Sequence, residues 1–361
     1  MTGPWLRIDP GKIEHNSRTL VELCARHGIA VTGVTKATCG NPEVAKAMLR
    51  GGVCSIADSR LQNIHRLKSA GIDTRFMLLR LPPLSGTESV VESVDISLNS
   101  ELSVLQGLSA AAGKRGVQHE VIIMIDLGDL REGILPDDLM PFVQQATRLT
   151  GIRIAGIGAN LSCFSGVIPD EHNMNRLAGL GDALEQNTGL KLKWISGANS
   201  SGLELIASGR MPTRINHARI GEAILLGRET VHRGPWPGTF QDAFVLHAEV
   251  LELRNKPSLP IGTRSEDAFG KHPQFEDRGV ISRALLNIGR EDIDVEGVTP
   301  VDARFGILGA SSDYLAVDVS AAGNDIHVGD QLAFSLNYSA LVAAMTSEYV
   351  KKYFEPDYGT L

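Results

Sequence analysis

Hydrophobic positions in the first two thirds of the chain form short, β-branched runs. Between them lie longer stretches with helical spacing, the pattern of βα units around a parallel sheet. The runs at 29–35, 53–57, 75–80, 94–98, 121–126, 152–160, 193–197 and 215–226 read as strands, the last drawn generously. Stretches 41–50, 59–69, 100–112, 137–148, 171–188 and 201–208 have helical periodicity. Eight such units predict an α/β fold, a (β/α)8 TIM barrel.

The pattern changes at 233–238, where Arg-Gly-Pro-Trp-Pro-Gly interrupts any regular element. Residues 1–235 are therefore expected to form the barrel domain and 236–361 a smaller, mostly β second domain. Its strands read as 244–253, 280–288, 314–319 and 331–336, followed by a helical stretch at 339–353. Residues 5–9 are candidates to join the β domain.

Composition narrows the function classes. With 361 residues and 43% hydrophobic positions the chain can bury a sizeable core, which excludes disorder. Thirty-five Lys+Arg against 42 Asp+Glu give a net charge of -7, the wrong sign for a surface that binds phosphodiesters. Cys24, Cys39, Cys54 and Cys163 have neither disulfide-framework nor zinc-ligand spacing and read as reduced thiols. No run approaches the roughly 20 apolar residues that span a bilayer, and the N-terminus does not resemble a signal peptide. The expectation is a cytoplasmic protein with no metal site and no nucleic-acid or membrane partner.

Reactive groups in a parallel barrel sit at the C-terminal ends of strands, where the loops open onto one face. The first run ends directly in Lys36, whose amine becomes nucleophilic if neighbours lower its pKa; taken alone, a solvated surface lysine is the better reading. The fifth run delivers Asp126-Leu127-Gly128-Asp129-Leu130-Arg131-Glu132-Gly133. Arg131 suits a carboxylate, and Asp126, Asp129 or Glu132 could orient it or receive an ammonium; for Asp129 and Glu132 a plain charged loop is preferred. After the sixth run come Asn160 and Cys163, the latter a proton donor or acceptor or simply an inert thiol. Ser200 and Ser201 follow the seventh run, and Arg219 and Gly221 belong to the eighth. Loops in these places commonly build a phosphate site, although Ser200 and Ser201 read equally as helix caps. An aldehyde bearing a phosphate would explain the lysine, the arginines and the serines together.

At these residues the chain resembles the alanine-racemase-like, fold-type III enzymes that use pyridoxal 5'-phosphate. Val34-Thr35-Lys36-Ala37 with Gly40 is similar to the family's V-x-K-A-x-x-x-G, one residue shorter before the glycine. The Asp126–Gly133 segment, numbered 126–133, is similar to D-T-G-M-x-R-x-G. Ala198-Asn199-Ser200-Ser201 resembles A-N-S-A, and Arg219-Ile220-Gly221 with Gly227 resembles R-x-G-x-x-x-x-G. Later, residues 311–318 resemble S-M-D-Q-L-x-V-D, and Asn337-Tyr338 a late N-Y. The ornithine/lysine racemase branch is nearer still, through its D-A-F-G, F-x-D-R-G, N-x-x-R-I-G-E-A-I-L-L-G and C-[FY]-x-G-V-x-P-D stretches at 267–270, 275–279, 216–227 and 163–170.

The resemblance implies a racemase of ornithine or lysine in which Lys36 forms the internal aldimine and exchanges the α-proton on one face. It implies that Arg219 faces the pyridine nitrogen, that Ser200, Ser201, Gly221 and Tyr338 hold the phosphate, and that Asn160 lies beside the ring. Arg131 would contact the substrate carboxylate or the phenolic oxygen. Two departures stand out. Phe269 occupies the place of the tyrosine that serves as opposite-face base in alanine racemases, which leaves Asp267, Tyr314, Asp313 and Cys163 as candidates in no firm order. Met124 lies near where those enzymes can carry a modified lysine that supports the arginine. Asp267 or Asp313 could instead neutralise a distal substrate ammonium. A homodimer with shared active sites is expected by analogy. The competing functions are a lyase of the same fold, of the D-hydroxyamino-acid aldolase type, and a non-catalytic protein that binds the cofactor for homeostasis.

Overall fold

The computed structural model describes residues 3–355 and comprises two compact units. One runs from Pro10 to Gln241; the other joins the residues up to Asp9 to those from Asp242 onward. β1 (Trp5–Ile8) belongs to the second unit. The first contains β2 (Ala30–Val34), β3 (Ser55–Asp58), β4 (Phe76–Leu78), β5 (Ile96–Asn99), β6 (His119–Met124), β7 (Ile152–Gly158), β8 (Trp194–Ala198) and β9 (His217–Ile220). These eight pair in parallel in chain order, and β9 returns to β2, so the predicted barrel closes.

Helices follow the strands because their sequences carry both stripe and caps. The side chain of Asn41 accepts from the N–H groups of Glu43 and Val44 to start the helix Pro42–Arg50. Asp170 and Asn173 exchange side-chain and backbone bonds of 2.8 and 2.9 Å at the head of Glu171–Thr188. Two differences from the sequence pattern have local causes. The run at 215–226 is a strand only as far as Ile220; Gly221 turns the chain and Glu222–Leu226 is helical. The helix Pro10–Arg26 escapes a hydrophobic search because polar Asn16 and Ser17 lie buried among its apolar positions.

Asn16 shows why. Its amide donates to the carbonyls of Ile224 (3.1 Å) and Phe240 (2.8 Å), and its oxygen accepts from the Phe240 N–H at 2.7 Å. The residues after the last barrel helix are thereby stitched back onto the first helix, as far as Gln241. Gly227, at φ 61°, completes the turn; a Cβ there would meet the Phe240 carbonyl oxygen at 2.2 Å.

Inside the barrel, Val34, Met77, Ile96, Leu98, Ile122 and Met124 form one apolar cluster. This packing holds the strand ends that carry the candidate residues.

The second unit contains β10 (Phe244–Pro257), β11 (Val280–Leu286), β12 (Val298–Pro300), β13 (Gly306–Ala310), β14 (Leu315–Asp318), β15 (Gln331–Leu336) and β16 (Lys351–Phe354). They form a sheet of order β12-β15-β10-β11-β14-β13, with β1 antiparallel to β10 and parallel to β16. Trp5 stacks on His247 with ring centroids 4.0 Å apart. The helical stretch at 339–353 is corrected here: the helix is Tyr338–Thr346. Ser347 leaves helical geometry and its hydroxyl caps the N–H groups of Tyr349 (3.1 Å) and Val350 (3.3 Å), after which β16 begins.

Replacing Asn16 with Ala removes the partner of three backbone groups, one buried and two partly buried. Unfolding free energy from urea titration should fall by about 2–4 kcal/mol with little change in denaturant slope. A loss below about 0.5 kcal/mol, the range of a neutral surface substitution, would show that the Asn16 bonds do not anchor this segment.

Candidate active site

Lys36 stands two residues beyond β2, with its side chain exposed at the barrel's C-terminal end. The residue before it is fixed from below. The Thr35 hydroxyl donates to buried Asp58 at 2.8 Å, and the other carboxylate oxygen of Asp58 accepts from Asn63 (2.9 Å) and the Arg60 N–H (3.0 Å). Burial pushes the Asp58 carboxyl up against the pull of those bonds. On the far side of the turn Arg66 donates to the Cys39 carbonyl.

The neighbour of β2 in the closed barrel is β9, which carries Arg219. This guanidinium is only 6% exposed. It donates to the Ala159 carbonyl (2.8 Å), to the Ser196 carbonyl (2.9 Å) and to the Ser196 hydroxyl. These hydrogen-bond acceptors are all neutral, and burial lowers Arg219 to about 10, with the charge of Glu132 acting the other way.

Behind Arg219 runs a line of polar side chains across four adjacent strands. The Ser196 Oγ lies 2.7 Å from His217 Nδ1, His217 Nε2 lies 2.8 Å from Thr32 Oγ1, and Thr32 reaches Ser55 at 2.6 Å. Burial, followed by the charges of Arg219 and Lys193, lowers His217 to about 3, so the ring is neutral with one N–H. Because Arg219 can only donate, the Ser196 oxygen must accept from it. The arrangement that leaves no Ser196 or Thr32 proton unpaired passes from Ser196 to Nδ1, then from Nε2 to Thr32 and on to Ser55.

On the other side of β9, the loop after β8 brings Ser200 and Ser201, both buried. The Ser200 hydroxyl accepts from the Ala223 N–H at 3.1 Å, joining the loops after β8 and β9. At Gly221 a Cβ would sit 2.9 Å from the Val34 Cβ and 3.1 Å from its carbonyl oxygen, so only a bare backbone passes there. Asn199 donates to the Leu161 carbonyl (2.9 Å) and reaches Asn160 at 3.5 Å, tying this loop to the one after β7.

The loops after β6 and β7 are locked together by Asp129, which is 2% exposed. Its carboxylate accepts from the N–H groups of Phe164 (2.9 Å), Ser165 (3.2 Å) and Val167 (3.3 Å). Asp126 instead closes its own turn, accepting from the N–H groups of Gly128 (2.8 Å) and Leu130 (3.2 Å). Arg131 donates to the Cys163 sulfur at 2.8 Å and forks onto both carboxylate oxygens of Glu132. Met124 lies in the apolar cluster, and Glu132 and Cys163 do the supporting of Arg131.

The barrel thus brings Lys36, Arg131, Asn160, Cys163, Ser200, Ser201, Arg219 and Gly221 to the ends of adjacent strands. Asp267, Asp313, Tyr314 and Tyr338 belong to the β unit. One oxygen of Asp267 accepts from the N–H groups of Lys271 and Phe269, both at 2.9 Å, and these bonds hold its carboxyl below the usual range. Asp313 and Tyr314 occupy the exposed turn between β13 and β14, and Tyr338 opens the helix Tyr338–Thr346. Phe269 lies beneath the Arg290 guanidinium, 5.2 Å from its ring centroid.

The family model for the alanine racemase N-terminal domain matches residues 8–229. The chain belongs to this family. Among curated members of the alanine racemase family and its relatives, the ornithine racemase of Acetoanaerobium sticklandii is 43% identical over 350 residues, covering 97% of this chain and 99% of its own. The lysine racemase of Thermotoga maritima is 39% identical over 356 residues, covering 99% of both. Alanine racemase from Bartonella henselae, solved with covalently bound pyridoxal phosphate, superposes with a TM-score of 0.73 at 20% identity, over 98% of this chain and all of the other, and so shares the fold.

The hydrophobic pattern did not single out Ser196, His217, Thr32 and Ser55. A signal was available: His217 and Arg219 are two apart on one strand, hence on one face, and Ser196 has the same relation to Trp194.

His119, donor or acceptor to Ser97 at 2.8 Å, is lowered by burial to about 4. Both histidines are neutral when folded, whereas an unfolded histidine titrates near pH 6.5. Their stabilisation is complete above about pH 6.5 and is lost as pH falls towards 4 and 3, on the order of 3 kcal/mol or more each. Urea unfolding followed from pH 7 to 4 should steepen accordingly, and His119→Gln should remove about one proton from the slope. A pH-independent free energy over that range would refute the buried neutral state.

Proposed function

We propose that the protein is a pyridoxal 5'-phosphate-dependent racemase that interconverts the L and D forms of a basic amino acid, ornithine or lysine. The observation that carries this is the buried Arg219, which has no carboxylate bonded to it, set between the Lys36 and Ser200 strand ends in a chain 43% identical to an ornithine racemase. A buried cation bonded only to neutral oxygens fits an electron-rich ring nitrogen, and the bare backbone at Gly221 beside Ser200 fits a phosphate. The near full-length relatives are racemases by name, which favours racemisation over the lyase and homeostasis alternatives.

Lys36 would hold the cofactor's aldehyde carbon; Arg219 the ring nitrogen; Ser200, Ser201, Gly221 and Tyr338 the phosphate; Asn160 the ring's flank. When bound, the cofactor supplies an electron-withdrawing ring that acidifies the substrate's α C–H. The Lys36 amine takes or returns the α-proton on one face. Arg219, protonated at neutral pH even at its lowered value, keeps its own proton, which disfavours protonation away from Cα. Arg131 holds the substrate carboxylate.

Racemisation needs a second proton-exchange group. Cys163 is the candidate that belongs to the barrel, with its sulfur accepting from the Arg131 guanidinium at 2.8 Å. Asp267 is a poorer base, since its carboxyl is held low by backbone bonds. Tyr314 and Asp313 are the remaining choices. A homodimer with shared active sites and a cytoplasmic location accompany this function by family likeness; an active enzyme that sediments as a monomer would overturn the first.

The purified protein should show a visible absorbance band that borohydride abolishes, and should form D-ornithine from L-ornithine with solvent deuterium entering Cα. Lys36→Ala should lose the band and at least about 1,000-fold in rate. Cys163→Ala should keep the band and lose about 100-fold or more. A Lys36→Ala protein that retains both band and turnover overturns the assignment, and an unaffected Cys163→Ala moves the second role to Tyr314 or Asp313.

A further inference from the structure

We infer that Glu132 is the specificity residue that receives the distal ammonium of a basic amino acid, through a charge exchange with Arg131; the inference rests on the racemase function proposed above. Three observations lead to it. The Glu132 side chain, in the loop after β6, is 15% exposed and lies near enough to the buried Arg219 for its charge to act there. Its ion-pair partner is Arg131, which grips both of its oxygens through Nε and Nη2. Third, in the function proposed above Arg131 is the guanidinium that receives the substrate carboxylate.

One guanidinium cannot neutralise two carboxylates. If the substrate carboxylate displaces Glu132 from the fork, a mostly buried Glu132 is left without its counter-ion. If instead it joins at the N–H groups that Glu132 and Cys163 leave open, Arg131 is shared between two negative groups. In either case Arg131 faces two carboxylates, and the other cation that feels Glu132, the buried Arg219, is bonded to Ser196 and Ala159 instead, so one carboxylate lacks a direct ion-pair partner in a partly dehydrated place, which is costly. A substrate with a second ammonium on its side chain supplies the missing positive charge. A neutral amino acid of the same length does not, and its binding leaves Glu132 unpaired. The preference for ornithine over its uncharged isostere therefore arises as much from a penalty on the wrong ligand as from attraction to the right one.

The neighbouring carboxylates are less suited. Asp129 is fully engaged by three backbone N–H groups, and Asp126 closes its own turn. Glu222 is bound to Arg233.

The test compares racemisation of L-ornithine and L-norleucine, whose side chains have the same length and end in an ammonium and a methyl group respectively. In wild type L-ornithine is preferred. Glu132→Gln keeps the side chain's shape and one acceptor for Arg131, so it should lower kcat/KM for L-ornithine by about 10- to 100-fold and, by removing the penalty, raise that for L-norleucine by about threefold or more. Glu132→Asp, which keeps the charge, should retain a preference for ornithine, and an unchanged thermal midpoint in both variants confirms folding. A loop that merely orients Arg131 would slow both substrates equally. Equal loss on the two substrates, or an unaltered preference in Glu132→Gln, overturns the inference while wild-type ornithine racemisation leaves the proposed function standing. A wild-type protein that racemises neither overturns both.

Discussion

The barrel is organised around a cation placed where a barrel normally holds hydrocarbon. Arg219 points into the interior from β9 and is bonded there to two carbonyls and a hydroxyl, with no carboxylate among these partners. Burying an ion among neutral acceptors is unfavourable unless something anchors them and something else completes the charge balance. The anchoring is visible: Ser196 accepts from Arg219, and neutral His217 and Thr32 hold Ser196 from the next strands. A carboxylate in the place of His217 would satisfy the arginine outright and leave less of its field for anything bound beside it. The interior accordingly holds both a polar strip across β3, β2, β9 and β8 and an apolar cluster drawn from β2 to β7.

Around that strip, loop geometry determines which groups can act. The loops after β6 and β7 would each be free to wander by composition, since both are rich in small and polar residues. Asp129 removes that freedom by accepting three N–H groups from the neighbouring loop, which places Cys163 against Arg131. A residue that reads as a surface charge is in fact the buried tie between two loops. The support of Arg131 has likewise moved. Met124 contributes only to packing, and the arginine is held by the adjacent Glu132 and by a thiol, one of which can change partner when ligand arrives.

Much of this was legible in the sequence, and the remainder was hidden for physical reasons. Strand-to-loop transitions announce themselves by the end of a β-branched run, so Lys36, Arg131 and Ser200 are read at strand ends from the sequence alone. The barrel count followed from the same alternation. What stayed hidden were polar residues inside elements. Asn16 breaks the apolar stripe of a 17-residue helix while serving as its principal tertiary contact. Ser196 and His217 look like interruptions of strands, because a hydrophobic pattern scores a buried hydrogen-bonded pair as a defect. The final strand, Lys351–Phe354, was absorbed into helical periodicity; its pairing to β1 depends on a residue more than 340 positions away, which no local window contains.

The two departures from the family pattern have a common consequence for proton transfer. Phe269 cannot exchange a proton, and the carboxylate two residues before it is held low by the N–H groups of its own turn. That turn is built to present an aromatic ring under Arg290 rather than a base. Within the barrel, by contrast, a thiol touches a guanidinium that also donates through Nε and Nη2 to a carboxylate. A ligand carboxylate that displaces Glu132 from Arg131 acts on the same guanidinium that touches Cys163, so substrate binding, the Glu132 contact and the Cys163 contact are linked through one side chain. Selectivity and proton exchange are then not separable properties of this loop. A substitution that loosens the Arg131–Glu132 fork changes the electrostatic field at the thiol as well as the preference for a second ammonium.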